Sequence, residues 1–318
     1  MNLFIFICQQ TLIFLVPLLL VGLGDLFSER SGVLNIALEG IMVFGAFAGI
    51  MFIRSASAAM PSWLVLLIAI LISILAGMLL SALHAFASIH LKAEQTISST
   101  AIITFATAFC IFYARVMLGT EQVVFRNTFR IDAVPLLSKI PVLGPILFQK
   151  AYVTTYLGIL VLIVTAFILK RTRFGLRLRS CGENPQAADS VGISVYKMRY
   201  AGVVISGALG AIGGLAYIVP PVQTWNFEVG VAGAGFLAMA VMIFGQWKPF
   251  NICGAAMFFA VFKSLANIAD STFLAQLHWS SNIYNMMPFV ASMVILAFTS
   301  KNSMAPKAEG IPYDKGSR

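Results

Sequence analysis

Two polar residues stand where the chain turns apolar. In NIALEGIM, Asn35 and Glu39 are four apart, which predicts one helical face with Met42 on the same stripe. A carboxylate beside an amide can hydrogen-bond a sugar hydroxyl or the edge of a base. The same pair can be a structural cap or a buried hydrogen bond, and the residues alone leave both readings open. Further on, Thr96, Thr100, Thr104 and Thr107 follow helical spacing with Ser98 and Ser99 beside them. Such a stripe can line a polar path, or its hydroxyls can bond back to their own helix or join helices together. QTWNFEVGVAGAGF (223–236) sets Trp225, Asn226 and Phe236 among glycines. Its rings can stack on a planar solute, Trp225 can equally belong to an interfacial belt, and Phe236 can simply pack. His90 and Glu94 lack further ligands, and Cys8, Cys110, Cys181 and Cys253 are scattered without a CxxC. No metal site, cofactor or disulfide framework is expected, and no nucleophile stands beside a base.

The elements that must position these groups are set by the solvent. The chain has 318 residues, 59% of them hydrophobic and 10% charged, with mean hydropathy +0.92. Soluble domains carry about 25% charged residues, so the bulk solvent here is lipid. The apolar runs are long and continuous rather than alternating, which selects helices over a barrel. The fold class is an all-α polytopic membrane protein. Spans are expected at about 6–25, 34–53, 62–90, 97–118, 152–170, 200–220, 233–247, 251–270 and 285–300, nine in all with a range of eight to ten. The first run has no Lys or Arg before Arg30 and reads as a retained helix rather than a leader. Residues 1–300 form one transmembrane domain and 301–318 a tail. Gly210 and Gly214 make a GxxxG pair suited to close helix contact. Segments 31–47 and 229–245 share a rhythm of glycines leading into an apolar helix, a hint of internal repetition and no more.

Net charge is +9, which marks cytoplasmic loops rather than a nucleic-acid surface. Segment 170–199 alone holds Lys170, Arg171, Arg173, Arg177, Arg179, Lys197 and Arg199. It and the tail are placed in the cytoplasm, four spans apart, which puts the N-terminus outside. Loop 119–151 then lies outside despite Arg126, Arg130, Lys139 and Lys150, and its prolines predict turns and a short surface helix. Inside the basic segment a short helix carries both end signals. Asn184 is a good N-cap, Pro185 fits the first helical position and Gly192 the C′ position. Its body, PQAADSV, is small-sided, so another surface can approach it closely.

The stretch TRFGLRLRSCGENPQAADSVGISVYKMRYAGVVISGALGAIGGLAY (172–217) resembles the coupling segment of ABC importer permeases of the simple-sugar, nucleoside and branched-chain amino acid branch. SERSGVLNIALEGIMVFGAFAG (28–49) and GAGFLAMAVMIFGQWKPFNICGAAMFFAVFKSLA (233–266) are similar to that branch's N- and C-terminal signatures, the latter in a nucleoside-type form. The three blocks stand in the expected order over nearly the whole chain. The resemblance implies an ABC importer permease fold in a bacterial cytoplasmic (inner) membrane. It also implies a cytoplasmic ABC ATPase, a second homologous permease making a heterodimer, and an extracytoplasmic substrate-binding lipoprotein. By the same resemblance Gly182, Glu183, Asn184, Pro185, Ala187, Ala188 and Gly192, within coupling segment 171–199, would meet the ATPase, with Glu183, Asn184, Ala187 and Ala188 facing it. Asn35, Glu39, Thr100, Thr104, Trp225, Asn226 and Phe236 are the candidate solute pathway. No GxxxxGK[ST] occurs, so the chain has no phosphate cradle of its own and is not expected to be an enzyme. Other cargoes for the same machinery are a simple sugar, riboflavin or a branched-chain amino acid. A stand-alone secondary transporter would need coupling charges at mid-bilayer. The span charges Glu39, His84, Arg115 and Lys263 mostly sit near predicted span ends.

Overall fold

Where lipid is the solvent, runs of about 20 apolar residues become helices, because each then satisfies its backbone internally. The computed structural model describes residues 3–57, 59–125, 129–135, 138, 140–141, 144–268, 283, 286–291, 293–294 and 304–316. The long helices are α1 (Leu3–Ser31), α2 (Leu38–Ser55), α3 (Ser62–Ala85), which runs on into a π-helical turn at Phe86–His90, and α4 (Gln95–Leu118). They are followed by α5 (Val153–Arg171), the two short helices α6 (Arg173–Glu183) and α7 (Pro185–Ser190), α8 (Val195–Ile218), α9 (Ala234–Phe244) and α10 (Pro249–Ile268). Among the described residues, α1, α2, α3 with its π-turn, α4, α5, α8 and α10 are long and apolar enough to cross a membrane. The expected span at 233–247 is the 11-residue α9. At 1.5 Å per residue it rises about 16 Å, roughly half a bilayer core. Half of the expected span at 285–300 lies outside the described residues, and 286–291 and 293–294 are helical.

α8 is the hub, packing on α1, α2 and α3. Lipid tails are as apolar as leucine, so helices associate through close van der Waals fit rather than hydrophobic drive. The glycines of α8 provide that fit. A Cβ on Gly214 would lie 2.6 Å from the Met42 carbonyl carbon, so α8 touches the α2 backbone directly. The opposite arrangement holds on α3, where Leu67, Leu71, Leu75, Leu79 and Leu83 recur every four residues and all stay exposed as one apolar stripe.

Among the described residues, four short strands join the helices. On the face opposite the basic segment, β1 (Gln122–Val124) pairs antiparallel with β4 (Thr224–Asn226), and β2 (Arg130–Ala133) with β3 (Gln149–Tyr152). The loop expected to hold turns and a surface helix therefore pairs as small ribbons and one π-helical turn, Gly144–Phe148. Ladders satisfy the backbone that prolines keep from continuous helix.

Between α1 and α2 the backbone leaves helix over residues 32–37 and is held by side chains from other elements. The Leu34 amide donates to Gln95 Oε1 (2.8 Å), and His84 Nε2 meets the Leu34 carbonyl (2.8 Å). Ser28 Oγ donates to the Val33 carbonyl (2.7 Å), and Asn35 Nδ2 to Ser206 Oγ (3.0 Å). The His84 contact needs a proton on Nε2, leaving Nδ1 to accept from Ser98 Oγ at 3.1 Å.

Gly214→Val should block the α2–α8 contact by at least about 1–3 kcal/mol of overpacking, seen as loss of monodisperse protein on size exclusion in detergent. Gly254→Ala, where an added Cβ meets nothing within 4 Å, should leave the elution profile unchanged.

Candidate functional site

α9 starts beside the first turn of α2, and its leading N–H groups have no partner within their own helix. Glu39 supplies one from outside. Its Oε1 accepts from Gly233 N (2.9 Å) and its Oε2 from Gly235 N (2.7 Å). A negative charge there also meets the positive end of the helix dipole. The approach needs Gly235, since a Cβ would fall 2.7 Å from Glu39 Cα. The two segments that share a glycine rhythm are thus the two that meet. Asn35 takes no part in this. Helix α2 begins only at Leu38, so residues 35 and 39 are not on one helical face as their spacing suggests. Asn35 is buried and tied to Ser206, and Met42 is fully buried in the core.

The hydroxyls of the α4 stripe bond back to their own helix. Thr100 Oγ1 donates to the Thr96 carbonyl (2.5 Å), Thr104 to Thr100 (2.9 Å) and Thr107 to Ile103 (3.0 Å). Each hydroxyl oxygen keeps acceptor capacity. Thr100 and Thr104 are exposed, on a face that also exposes Ile97, Phe105 and Phe112. Gly40 packs on Ile103 of α4, while Glu39 packs on Gly235 of α9. The start of α2 therefore lies between α4 and the start of α9. Thr100 and Thr104 stand on one side of half-buried Glu39, and 46%-exposed Phe236 on the other.

Trp225 is 3% exposed and does not stand in an interfacial belt. Its Nε1 donates to the Gly230 carbonyl (2.8 Å), and its ring packs 4.7 Å from Phe227, which reaches Phe47 at 5.4 Å. These contacts fold residues 224–233 into a return loop leading down to α9. Half-buried Asn226 accepts from Glu228 N (2.9 Å). It lines a cavity of about 550 Å³ with Phe14, Tyr217, Trp225 and Lys263.

On the basic face, Thr172 Oγ1 accepts from Gly175 N (3.1 Å) and starts α6, a helix the residue pattern did not suggest. α7 has the ends its sequence specifies. Asn184 Oδ1 accepts from Ala187 N (3.0 Å), Pro185 opens the helix and Gly192 follows it at φ +83°. Glu183, Asn184, Ala187 and Gly192 are exposed and Pro185 is half-buried. Gly182 is buried under the Arg30 backbone. Ala188, expected to face outward, is 3% exposed and packs with Cys181, Val195 and Tyr313. The outward positions of α7 are Gln186, Ala187 and Ser190.

A charged cluster sits behind this segment. Arg30 Nη1 lies 3.7 Å from Glu183 Oε1, and Arg30 Nη2 donates to the Trp247 carbonyl (3.0 Å). Trp247 Nε1 donates to buried Glu29 Oε2 (2.5 Å). Glu309, from the tail, lies against Glu29 and Arg30; burial pushes its carboxyl up, opposed by its hydrogen bond with Glu29 and by the Arg30 charge. Sequence reasoning did not find this cluster. Its one signal was DLFSER (25–30), three charges closing the first apolar run.

The model of the branched-chain amino acid transport system permease component matches residues 7–297. The chain is 41% identical over 318 residues to the guanosine ABC transporter permease protein NupQ of Bacillus subtilis (strain 168), covering 98% of this chain and 97% of that one. It is 39% identical to the nucleoside ABC transporter permease protein NupC of Lactococcus lactis subsp. cremoris (strain MG1363), covering 97% and 96%. It is 23% identical to NupB of the same strain, also a nucleoside ABC transporter permease protein, covering 80% and 71%. No solved structure matches the chain significantly.

Glu39→Ala should lower the stability of the purified protein by about 1–3 kcal/mol, since it leaves the start of α9 with unsatisfied buried donors. Glu39→Gln, which keeps one acceptor oxygen, should lose less. Thermal unfolding in detergent checks the order Glu, Gln, Ala.

Proposed function

This chain belongs to the family of branched-chain amino acid transport system permease components, and from that membership we propose that it is one membrane-spanning subunit of an ATP-driven importer of nucleosides. The observation that carries the cargo is near-full-length identity of 41% and 39% to permeases named for guanosine and for nucleosides. A second, related permease is supported by NupB and NupC, two permeases similar to this chain from one strain. In this reading ATP hydrolysis belongs to a separate ATPase subunit, as membership in a permease family supports. Basic loops stay in the cytoplasm, so the face of α6, α7 and residues 304–316 is cytoplasmic. The β ribbons face outward, where a substrate-binding protein delivers the solute. The membrane is the bacterial cytoplasmic membrane.

In this reading the exposed face of α4, with Thr100 and Thr104, and Phe236 of α9 look toward the second permease subunit and the passing solute. Hydroxyl acceptors and an aromatic ring suit a ribose and a base, and neither group needs to ionise. Glu39 stands between them as the carboxylate that fixes the start of α9. The solute moves as the two subunits change their mutual packing. The ATPase acts on the outward side of α7, at Gln186, Ala187 and Ser190. Movement of α7 passes to α1 through the Arg30–Glu183 pair and the Gly182–Arg30 backbone contact.

Cells carrying the chain with its partner subunits should take up radiolabelled guanosine in an ATP-dependent manner, and cells lacking the chain should not. Thr104→Leu should slow uptake about fivefold or more, equivalent to ~1 kcal/mol, while subunit levels stay normal. Uptake unchanged by loss of the chain would refute the nucleoside reading, and normal kinetics in Thr104→Leu would remove α4 from the path.

A further inference from the structure

Residues 304–316 cross the basic face as a strap. The Met304 amide donates to Gln246 Oε1 (3.1 Å), and the Ala308 amide to the Gly182 carbonyl (2.9 Å). The Ile311 carbonyl accepts from Arg199 Nη1 at 2.9 Å. Asp314 pairs with Lys92 (2.9 Å), and Lys315 Nζ stands 3.8 Å from Asp189 of α7. Between these points Tyr313 is buried. Its ring lies 5.5 Å from Tyr196 and packs with Cys181, Ala188 and Val195. The strap therefore touches both ends of the α6–α7 bend, and Tyr313 forms the floor on which the inner side of α7 rests.

α7 is six residues long, too short to hold itself as a helix in water. Its caps fix its ends but not its direction. Within α7, the apolar contact that sets direction is the packing of Ala188 with Cys181, Val195 and Tyr313. We propose that Tyr313, with the strap that carries it, is a positioning residue for the coupling helix, and that without it the push of the ATPase on α7 is not passed on to α1 and α8. The proposal rests on the reading of α7 as the ATPase contact.

The strap is not held by a large excess of favourable contacts. It closes over Arg199, which is 1% exposed and whose Nε and Nη2 find no hydrogen-bond partner among the described residues. It also brings the carboxyl of Glu309 against that of Glu29, and although Arg30 is near, Glu309 Oε2 has no hydrogen-bond partner among the described residues. Buried polar atoms left without a hydrogen bond oppose docking. Loss of the Tyr313 ring takes away the strap's apolar contact with the inner side of α7.

Cys181 is a built-in reporter, since it is fully buried beside Tyr313 and burial pushes its thiol up. The test uses the assembled transporter with Cys8, Cys110 and Cys253 replaced by serine, and a maleimide applied to the cytoplasmic face. Tyr313→Ala should label Cys181 at least about tenfold faster than the parent, and should lower solute moved per ATP hydrolysed about fivefold. Tyr313→Phe should restore both. The surface variant Asp314→Lys should loosen the strap in the same direction, and adding Lys92→Asp should reverse it, which guards against misfolding of Tyr313→Ala. Rapid labelling of Cys181 in the parent, or full coupling in a Tyr313→Ala complex whose Cys181 is freely labelled, would overturn the proposal. Labelling needs no solute, so it reads the seating of α7 even where the nucleoside reading fails.

Discussion

Inside a bilayer, a peptide group that leaves helix must find its partner within the protein. Much of this molecule follows from that rule applied at two places. Residues 32–37 leave helix between α1 and α2, and His84, Gln95, Ser28 and Ser206 come from three other helices and α1 itself to receive them. Residues 227–233 return inward from the β1–β4 ribbon, and the Gly233 and Gly235 amides at the start of α9 are left open. Glu39 closes them. Because Glu39 stands in the first turn of α2, the first break positions the cap for the second. A carboxylate that looks like a ligand contact in the sequence is therefore first a structural fastening, and its placement between α4 and the start of α9 follows from that duty.

The same geometry separates two kinds of polar residue within the membrane domain. Asn35, Ser206 and His84 are buried and bond within the chain, Asn35 through Nδ2 while its Oδ1 has no partner among the described residues. Thr100 and Thr104 are exposed and satisfy only their donor side within α4. The helices behind them, α1, α2, α3 and α8, meet through glycine contacts close enough to transmit a shift of one element to the next. A rigid hub of this kind, with a small helix on one face and a re-entrant loop on the other, fits motion by sliding and rocking of packed helices better than motion within any one helix.

What was legible in the sequence is what is local. Long spans announce themselves because lipid demands about 20 apolar residues, and both ends of α7 could be read because Asn184, Pro185 and Gly192 act within a few residues. Long-range partners hid the rest. α9, expected over 233–247, starts within a residue of that and stops at Phe244; what the sequence hid is the partner of its start, Glu39, almost two hundred residues away. Asn35 and Glu39 looked like one face because the break before Leu38 is imposed by His84, Gln95 and Ser206. Ala188 looked outward because nothing near it in sequence reveals that Tyr313 lies beneath it. Residues 301–318 were set apart as a tail because their composition is polar, yet 304–316 pack against the basic segment.

The strap also dictates an order of manufacture. The ribosome releases α7 early, while α8, α9 and α10 have yet to be threaded into the bilayer, and the residues that seat it emerge only after all of them. A nascent subunit that stalls between those points carries a short helix with no floor under it. The finished seating of α7 is thus a mark that every later segment has arrived, and a partner that grips only the seated form would assemble with completed subunits and pass over half-made ones.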